Sequence, residues 1–134
     1  MADTEALGSL IARSLKPGDV VLLEGEVGSG KTTLVRGAAR ALGWGGPVTS
    51  PTYALANRYE TPGGPAIAHL DLHRLGALAG EDEGLLDDSL TPDAIAFVEW
   101  PEIARAALPR GPRFVVRLAH DGDGRRAMIE EPGR

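Results

Sequence analysis

Val20-Val21-Leu22-Leu23-Glu24-Gly25-Glu26-Val27-Gly28-Ser29-Gly30-Lys31-Thr32-Thr33 is the stretch that decides the fold. Val20 to Leu23 is a continuous apolar run, the pattern of a strand buried on both faces of a parallel sheet. Gly25 to Thr32 then matches G-x-x-x-x-G-K-[ST]. The glycines let the backbone curl so that successive N–H groups point inward at phosphates. A helix from about Lys31 to Leu42, stopped by Gly43, adds the partial positive charge of its N-terminus. Lys31 is placed to reach the β and γ phosphates of ATP, and the Thr32 hydroxyl to ligate Mg2+. The expected phosphate cradle is Glu26, Val27, Gly28, Ser29, Gly30, Lys31, Thr32 and Thr33. An ordinary Gly-rich turn is the plainer alternative. It is disfavoured because a buried strand precedes the motif and a helix follows it.

Composition supports the emphasis on Lys31. Only two of the fourteen basic residues are lysines, Lys16 and Lys31; the other twelve are arginines. A chain that uses arginine almost wherever it needs positive charge has a specific reason for a compact ammonium at position 31. The net charge is −5, the wrong sign for a surface that grips RNA or DNA itself, so any link to nucleic acid should run through a partner protein. With 134 residues, 43% of them hydrophobic, residues 1–134 are expected to form one domain around one core. There are no cysteines, which excludes disulfides and thiolate metal sites. A basic n-region with a long apolar stretch is missing from the first twenty residues, and no apolar run approaches eighteen residues. The expectation is a soluble, cytoplasmic protein with no membrane segment.

Outward from the motif, Asp3 or Thr4 can cap a helix whose apolar residues Leu7, Leu10, Ile11 and Leu15 share a face. Tyr53 to Glu60 can form a strand, Thr61 to Pro65 a turn, and Ala66 to Leu72 a second strand. The acidic stretch Glu81 to Asp88 reads as helical. Ile95 to Val98 is another buried strand, and Pro101 fits the first turn of a short helix. Phe114, Val116 and Leu118 alternate with Arg113, Val115 and Arg117, which predicts a strand with one wet face. Arg125 to Glu130 should pair with it as a hairpin across Asp121 to Gly124. The fold class is α/β: a P-loop NTPase-type three-layer fold whose sheet is mainly parallel, with antiparallel strands added.

A P-loop needs an acidic residue at the carboxyl end of a neighbouring strand to hold Mg2+ or its water shell. Asp71 and Glu99 both sit at such ends, although either carboxylate could instead cap the next helix. Thr49-Ser50-Pro51-Thr52 lies where many nucleotide switches place the loop that senses the γ-phosphate, but these residue types are common in any loop. Trp100 reads as core or interface. His69, His73 and His120 form no metal pattern: the i, i+4 spacing of the first two is too long on a strand for one ion. The run Glu81-Asp82-Glu83 reads as a solvated helix face.

Four motifs in order resemble the bacterial TsaE (YjeE) family, over Val20 to about Glu102. They are Leu23 to Thr33, Thr49 to Tyr53, His69-Leu70-Asp71-Leu72-His73-Arg74-Leu75, and Val98-Glu99-Trp100-Pro101. The family usually has tyrosine before the arginine, where this chain has His73. The resemblance implies an ATPase of the machinery that places threonylcarbamoyl on the adenosine next to the tRNA anticodon. It implies Mg2+ served by Asp71, a part for Glu99 in turnover, and TsaD and TsaB as partners that leave tRNA contact indirect. The site set expected is Lys31, Asp71 and Glu99 for catalysis, Thr32, Asp71 and Glu99 for the metal, and the P-loop with Thr52 for the nucleotide.

Two rival functions share the scaffold. A small-molecule P-loop kinase usually needs a mobile lid rich in arginine, whereas the one sizeable insert, Gly76 to Leu90, contains neither Arg nor Lys. A nucleotide-dependent switch module would bind ATP with incidental turnover; Asp71 and Glu99 argue for hydrolysis, but this reading overlaps with the family's role. A GTPase is disfavoured because neither lysine follows an asparagine, and an ABC-type ATPase because no Leu-Ser-Gly-Gly segment occurs. Beyond Lys31 and Mg2+, positive charge for the γ-phosphate is short. Arg74 can serve as an internal finger or equally pair with the acidic segment after it, so slow hydrolysis alone and faster hydrolysis with partners is the expectation.

Overall fold

The computed structural model describes residues 2–25, 30–48, 56–71, 91–99, 112–121 and 124–131. In chain order these form α1 (Ala2–Ala12), β1 (Val20–Gly25), α2 (Lys31–Ala41), β2 (Ala56–Glu60), β3 (Ala66–Asp71), β4 (Ala94–Glu99), β5 (Phe114–Asp121) and β6 (Gly124–Glu130). Among the described residues the strands make one sheet in the order β2-β3-β4-β1-β5-β6. β3, β4, β1 and β5 run parallel, while β2 and β6 pair antiparallel with β3 and β5 at the two edges. This is the P-loop-type α/β sheet expected, a parallel core with antiparallel additions. The helix proposed for Glu81 to Asp88 and the turn at Pro101 lie outside the described residues.

Strand β1 sits between β4 and β5, and its residues Val20 to Leu23 are all buried. That is why it reads as an unbroken apolar run: neither face meets water. On one face Val21, Leu23, Ile67, Ile95, Phe97 and Val116 pack with Leu34, Val35 and Ala38 of α2, Ile11 of α1 and Leu15 just after it. The opposite face carries Val20, Leu22, Ala68, Leu70, Ala96, Val98 and Val115, buried as well. Val115 corrects the expectation of a wet face along β5. Phe114, Val115 and Val116 are all buried, so the first half of β5 is covered on both faces, and exposure begins at half-buried Arg117.

Helix α1 departs from its reading in a second way. It already spans Asp3 and Thr4, so both lie in its first turn rather than before it, and Thr4 is buried. Leu10 is 59% exposed although it was expected on the buried face. The cause is Gly8, on which the contact with α2 is centred. An ideal Cβ there would lie 2.0 Å from the Leu34 carbonyl oxygen, and one on Gly37 of α2 would lie 2.0 Å from the Glu5 carbonyl oxygen. The helices therefore meet backbone to backbone at two glycines. Leu10, two residues on from Gly8, is turned about 160° away round the helix.

Helix α2 is stopped as its sequence predicts. Gly43 adopts φ 109, its N–H donates to the Arg40 carbonyl, and the Trp44 N–H donates to the Ala39 carbonyl at 2.9 Å. These two bonds satisfy carbonyls that would otherwise end the helix without partners.

Gly37→Ala tests the close approach. Helix propensity alone would stabilise α2 by about 1 kcal/mol. The backbone clash should reverse that sign and give a net loss of about 1–3 kcal/mol. Urea unfolding reads the difference, and an unchanged or raised midpoint would show that α1 does not sit this close.

Candidate functional site

The parallel sheet brings the carboxyl ends of β1, β3 and β4 to one edge. Gly25 ends β1, Asp71 ends β3 and Glu99 ends β4. In register, Asp71 faces Glu99, and Glu99 faces Leu23. The two carboxylate positions are therefore neighbours: Glu99 lies beside the strand that leads into the P-loop, and Asp71 one strand further out. Ligands of open α/β sheets bind at this edge.

Across the loop from β1, Gly30 takes the N-cap position of α2 with φ 103 and ψ 14. This left-handed conformation is one that glycine adopts without strain. The Gly30 carbonyl accepts the Leu34 N–H at 2.9 Å, which closes the first turn. Gly30 offers no side-chain cap, and the first turn of α2 holds no acidic residue. The positive end of α2 is thus left uncompensated by the helix's own residues, which suits an anionic ligand. Thr32 and Thr33 lie half-buried in that first turn.

Lys31 is 8% exposed. Its Nζ donates to the Gly25 carbonyl at 2.8 Å and lies 3.6 Å from Glu99 Oε1. Glu99 is itself 4% exposed, and its other oxygen, Oε2, lies 2.7 Å from His69 Nε2. A buried carboxylate costs several kcal/mol unless paired and hydrogen-bonded, and here it is both. The structure thus brings together Lys31, Glu99 and the backbone of Asp71, with Thr32 one residue from Lys31. Glu26, Val27, Gly28 and Ser29 lie outside the described residues, as do Thr49 to Thr52, His73, Arg74 and Trp100.

His69 was not among the site residues expected. It is fully buried, on the same strand as Asp71 and two positions before it. The signal was present in the sequence as one polar ring inside the apolar run Ala66-Ile67-Ala68-His69-Leu70. Without the β3–β4 register, nothing said that this ring would reach Glu99.

The family described as threonylcarbamoyl adenosine biosynthesis protein TsaE matches residues 1–128. The chain belongs to the TsaE family. The TsaE protein of Mycobacterium tuberculosis is 44% identical over 107 residues, which is 75% of this chain and 64% of that protein. Its Streptomyces coelicolor counterpart is 47% identical over 98 residues, covering 72% of this chain and 66% of the relative. The Bacillus subtilis TsaE is 36% identical over 126 residues, covering 94% and 77%. Each of these is named a tRNA threonylcarbamoyladenosine biosynthesis protein. The chain spans about two thirds of the length of the mycobacterial and Streptomyces TsaE proteins. Among solved structures, that of Bacillus subtilis YdiB superposes with a TM-score of 0.70 at 29% identity, covering 96% of this chain and 77% of that one. No helix among the described residues of this TsaE-family chain is long and apolar enough to cross a membrane.

The buried pair predicts a specific coupling. Lys31→Met should leave the Glu99 carboxylate in the core with a single donor and lower stability by about 3 kcal/mol. Adding Glu99→Gln should restore part of that loss. Equilibrium denaturation of both single variants and the double variant measures it, and additive losses would mean the two side chains do not interact.

Proposed function

We propose that this chain binds ATP with Mg2+ and hydrolyses it to ADP and phosphate as one step of the family's process, the threonylcarbamoyladenosine modification of tRNA. One observation carries the reading: the Lys31 ammonium and the Glu99 carboxylate stand together where β1 meets α2, with Asp71 in register beside Glu99. The uncompensated N-terminus of α2, the left-handed Gly30 and the Lys31 ammonium fit a triphosphate, and hydroxyl and carboxylate oxygens fit Mg2+ as hard ligands.

In this reading residues 26–30 wrap the phosphates with backbone N–H groups, and Thr33 and Thr52 complete the nucleotide contacts. Lys31 neutralises the β and γ phosphates. Thr32, Asp71 and Glu99 hold the metal and its waters, and Glu99 also accepts a hydrogen bond from the attacking water. Bound Mg2+ supplies charge neutralisation on the phosphoryl oxygens. Glu99 is suited to the water-orienting role because His69 and Lys31 hold both its oxygens from inside the fold. The partners implied are TsaD and TsaB. The chain's net charge of −5 supports leaving tRNA contact to them. An arginine finger supplied in trans adds roughly 10³–10⁵ in rate to phosphoryl transfer, so hydrolysis should be slow alone and faster with the partner complex.

Three substitutions test this reading against ATP binding and single-turnover hydrolysis. Lys31→Ala should abolish tight ATP binding, and an unchanged affinity would remove the phosphate-site assignment. Asp71→Asn should retain the fold and some nucleotide affinity but lose hydrolysis, because shape is kept while the charge that serves Mg2+ is lost. Glu99→Gln should slow the chemical step by about 10²-fold or more, with little change in affinity. Wild-type turnover in both carboxylate variants would mean that the acids are misassigned. Rates measured with and without the TsaD–TsaB complex separate a partner-activated ATPase from a switch module with incidental turnover.

A further inference from the structure

We infer that His69 is the positioning residue for Glu99: it fixes the carboxylate's orientation from behind and so sets the chemical step without touching nucleotide. The inference rests on the reading of Glu99 given above.

The geometry gives the bond a direction. Glu99 Oε1 faces the Lys31 ammonium at 3.6 Å, and Oε2 faces His69 Nε2 at 2.7 Å. An ionised carboxylate only accepts hydrogen bonds, so the proton lies on Nε2 and His69 donates. The other ring nitrogen agrees with this assignment. Nδ1 is buried and has no hydrogen-bond partner among the described residues. With the proton on Nε2, Nδ1 carries only a lone pair, so the ring leaves no N–H unpaired in the core. The opposite tautomer would bury an unpaired N–H and set a lone pair against the carboxylate.

The surroundings explain why a ring is used here. His69 pairs in register with Phe97 on β4, and Asn57 is its antiparallel partner on β2. Ile67, Ile95 and Phe97 around it are fully buried. A flat imidazole packs among such groups while delivering one donor at a fixed distance. A carboxylate side chain has rotatable bonds, and at a catalytic position its misorientation by an ångström is costly. With Lys31 on one oxygen and His69 on the other, Glu99 has little freedom to turn. When Lys31 engages phosphate, the His69 bond remains as an anchor from the protein interior.

The test compares His69→Gln, His69→Asn and His69→Phe in the full chain. Gln can place an amide N–H near the Nε2 position, Asn reaches only the Nδ1 position, and Phe keeps the ring and removes the donor. Single-turnover ATP hydrolysis, affinity for a fluorescent ATP analogue with Mg2+, and thermal unfolding are measured on each. Losing an outer hydrogen-bond partner of this kind costs about 10–100-fold in activity. That loss is expected in the rate for Phe and Asn, with nucleotide affinity kept and the rate largely rescued in Gln. If the Phe variant does not fold, the Gln–Asn difference decides.

Two further measurements separate positioning from plain packing. Combining His69→Asn with Glu99→Gln should be no slower than Glu99→Gln alone, because both act through one carboxylate. In 15N spectra of histidine-labelled wild type, the His69 signals, assigned by their loss in His69→Gln, should show a proton on Nε2 and none on Nδ1. Wild-type turnover in His69→Asn, additive losses in the double variant, or a proton on Nδ1 would each overturn the inference. If Glu99→Gln itself turns over at the wild-type rate, the reading of Glu99 fails and the inference goes with it. If Glu99→Gln is slow while His69→Asn is unimpaired, only the inference fails.

Discussion

A carboxylate buried at the end of a central strand is the feature on which the rest of this site depends. Glu99 is almost wholly removed from water, and a lone charge there would be too costly to keep. The fold meets that cost with Lys31 from the start of α2 and His69 from the neighbouring strand. These contacts join three separate elements, α2, β3 and β4, so the carboxylate also fixes how those elements meet. β3 and β4 must hold the register that sets His69 against Phe97, and α2 must start close enough to β1 for Lys31 to reach the Gly25 carbonyl.

The placement of α2 depends in turn on α1. Gly8 and Gly37 allow the two helices to approach until each backbone occupies space that a Cβ would need on the other. Around that contact Glu5 reaches Arg36 and Arg40 at 3.9 and 3.3 Å, pairs exposed enough to contribute little beyond orientation. Sheet packing through Leu34, Val35 and Ala38 holds the other side of α2. On the far flank of β1, Arg117 of β5 donates to Glu24 at 3.0 Å and also pairs with Glu130 of β6, which ties the antiparallel hairpin to the central strand.

Membership of the TsaE family and the geometry of the site bear on different questions. The family match covers residues 1–128 and places the chain among the TsaE proteins. The geometry says which side chains can act together: Lys31 with Glu99, and Glu99 with His69. Trp44, just past the C-terminal end of α2, and Tyr59 of β2, whose rings lie 5.1 Å apart, belong to the core rather than to the edge that carries Asp71 and Glu99.

The sequence by itself determined the parts whose signals are local. Residues 20–33 carried a buried strand, a glycine-rich motif and a helix start in one continuous pattern, because period, glycine placement and one unusual lysine are all properties of adjacent residues. The strands ending at Asp71 and Glu99, the hairpin across 121–124 and the stop at Gly43 were legible for the same reason. What only the tertiary structure decided are relations between distant segments. Leu10 looked like core because its neighbours fit a helical stripe, but the stripe is centred on Gly8, a residue with no side chain to announce it. Val115 looked half-wet because alternation with the flanking arginines cannot show which faces of a strand the rest of the fold covers. His69 was legible only as a histidine without a metal pattern, and the β3–β4 register set it against Glu99. A hydrogen bond between residues thirty positions apart follows from strand order and register, which no local pattern encodes.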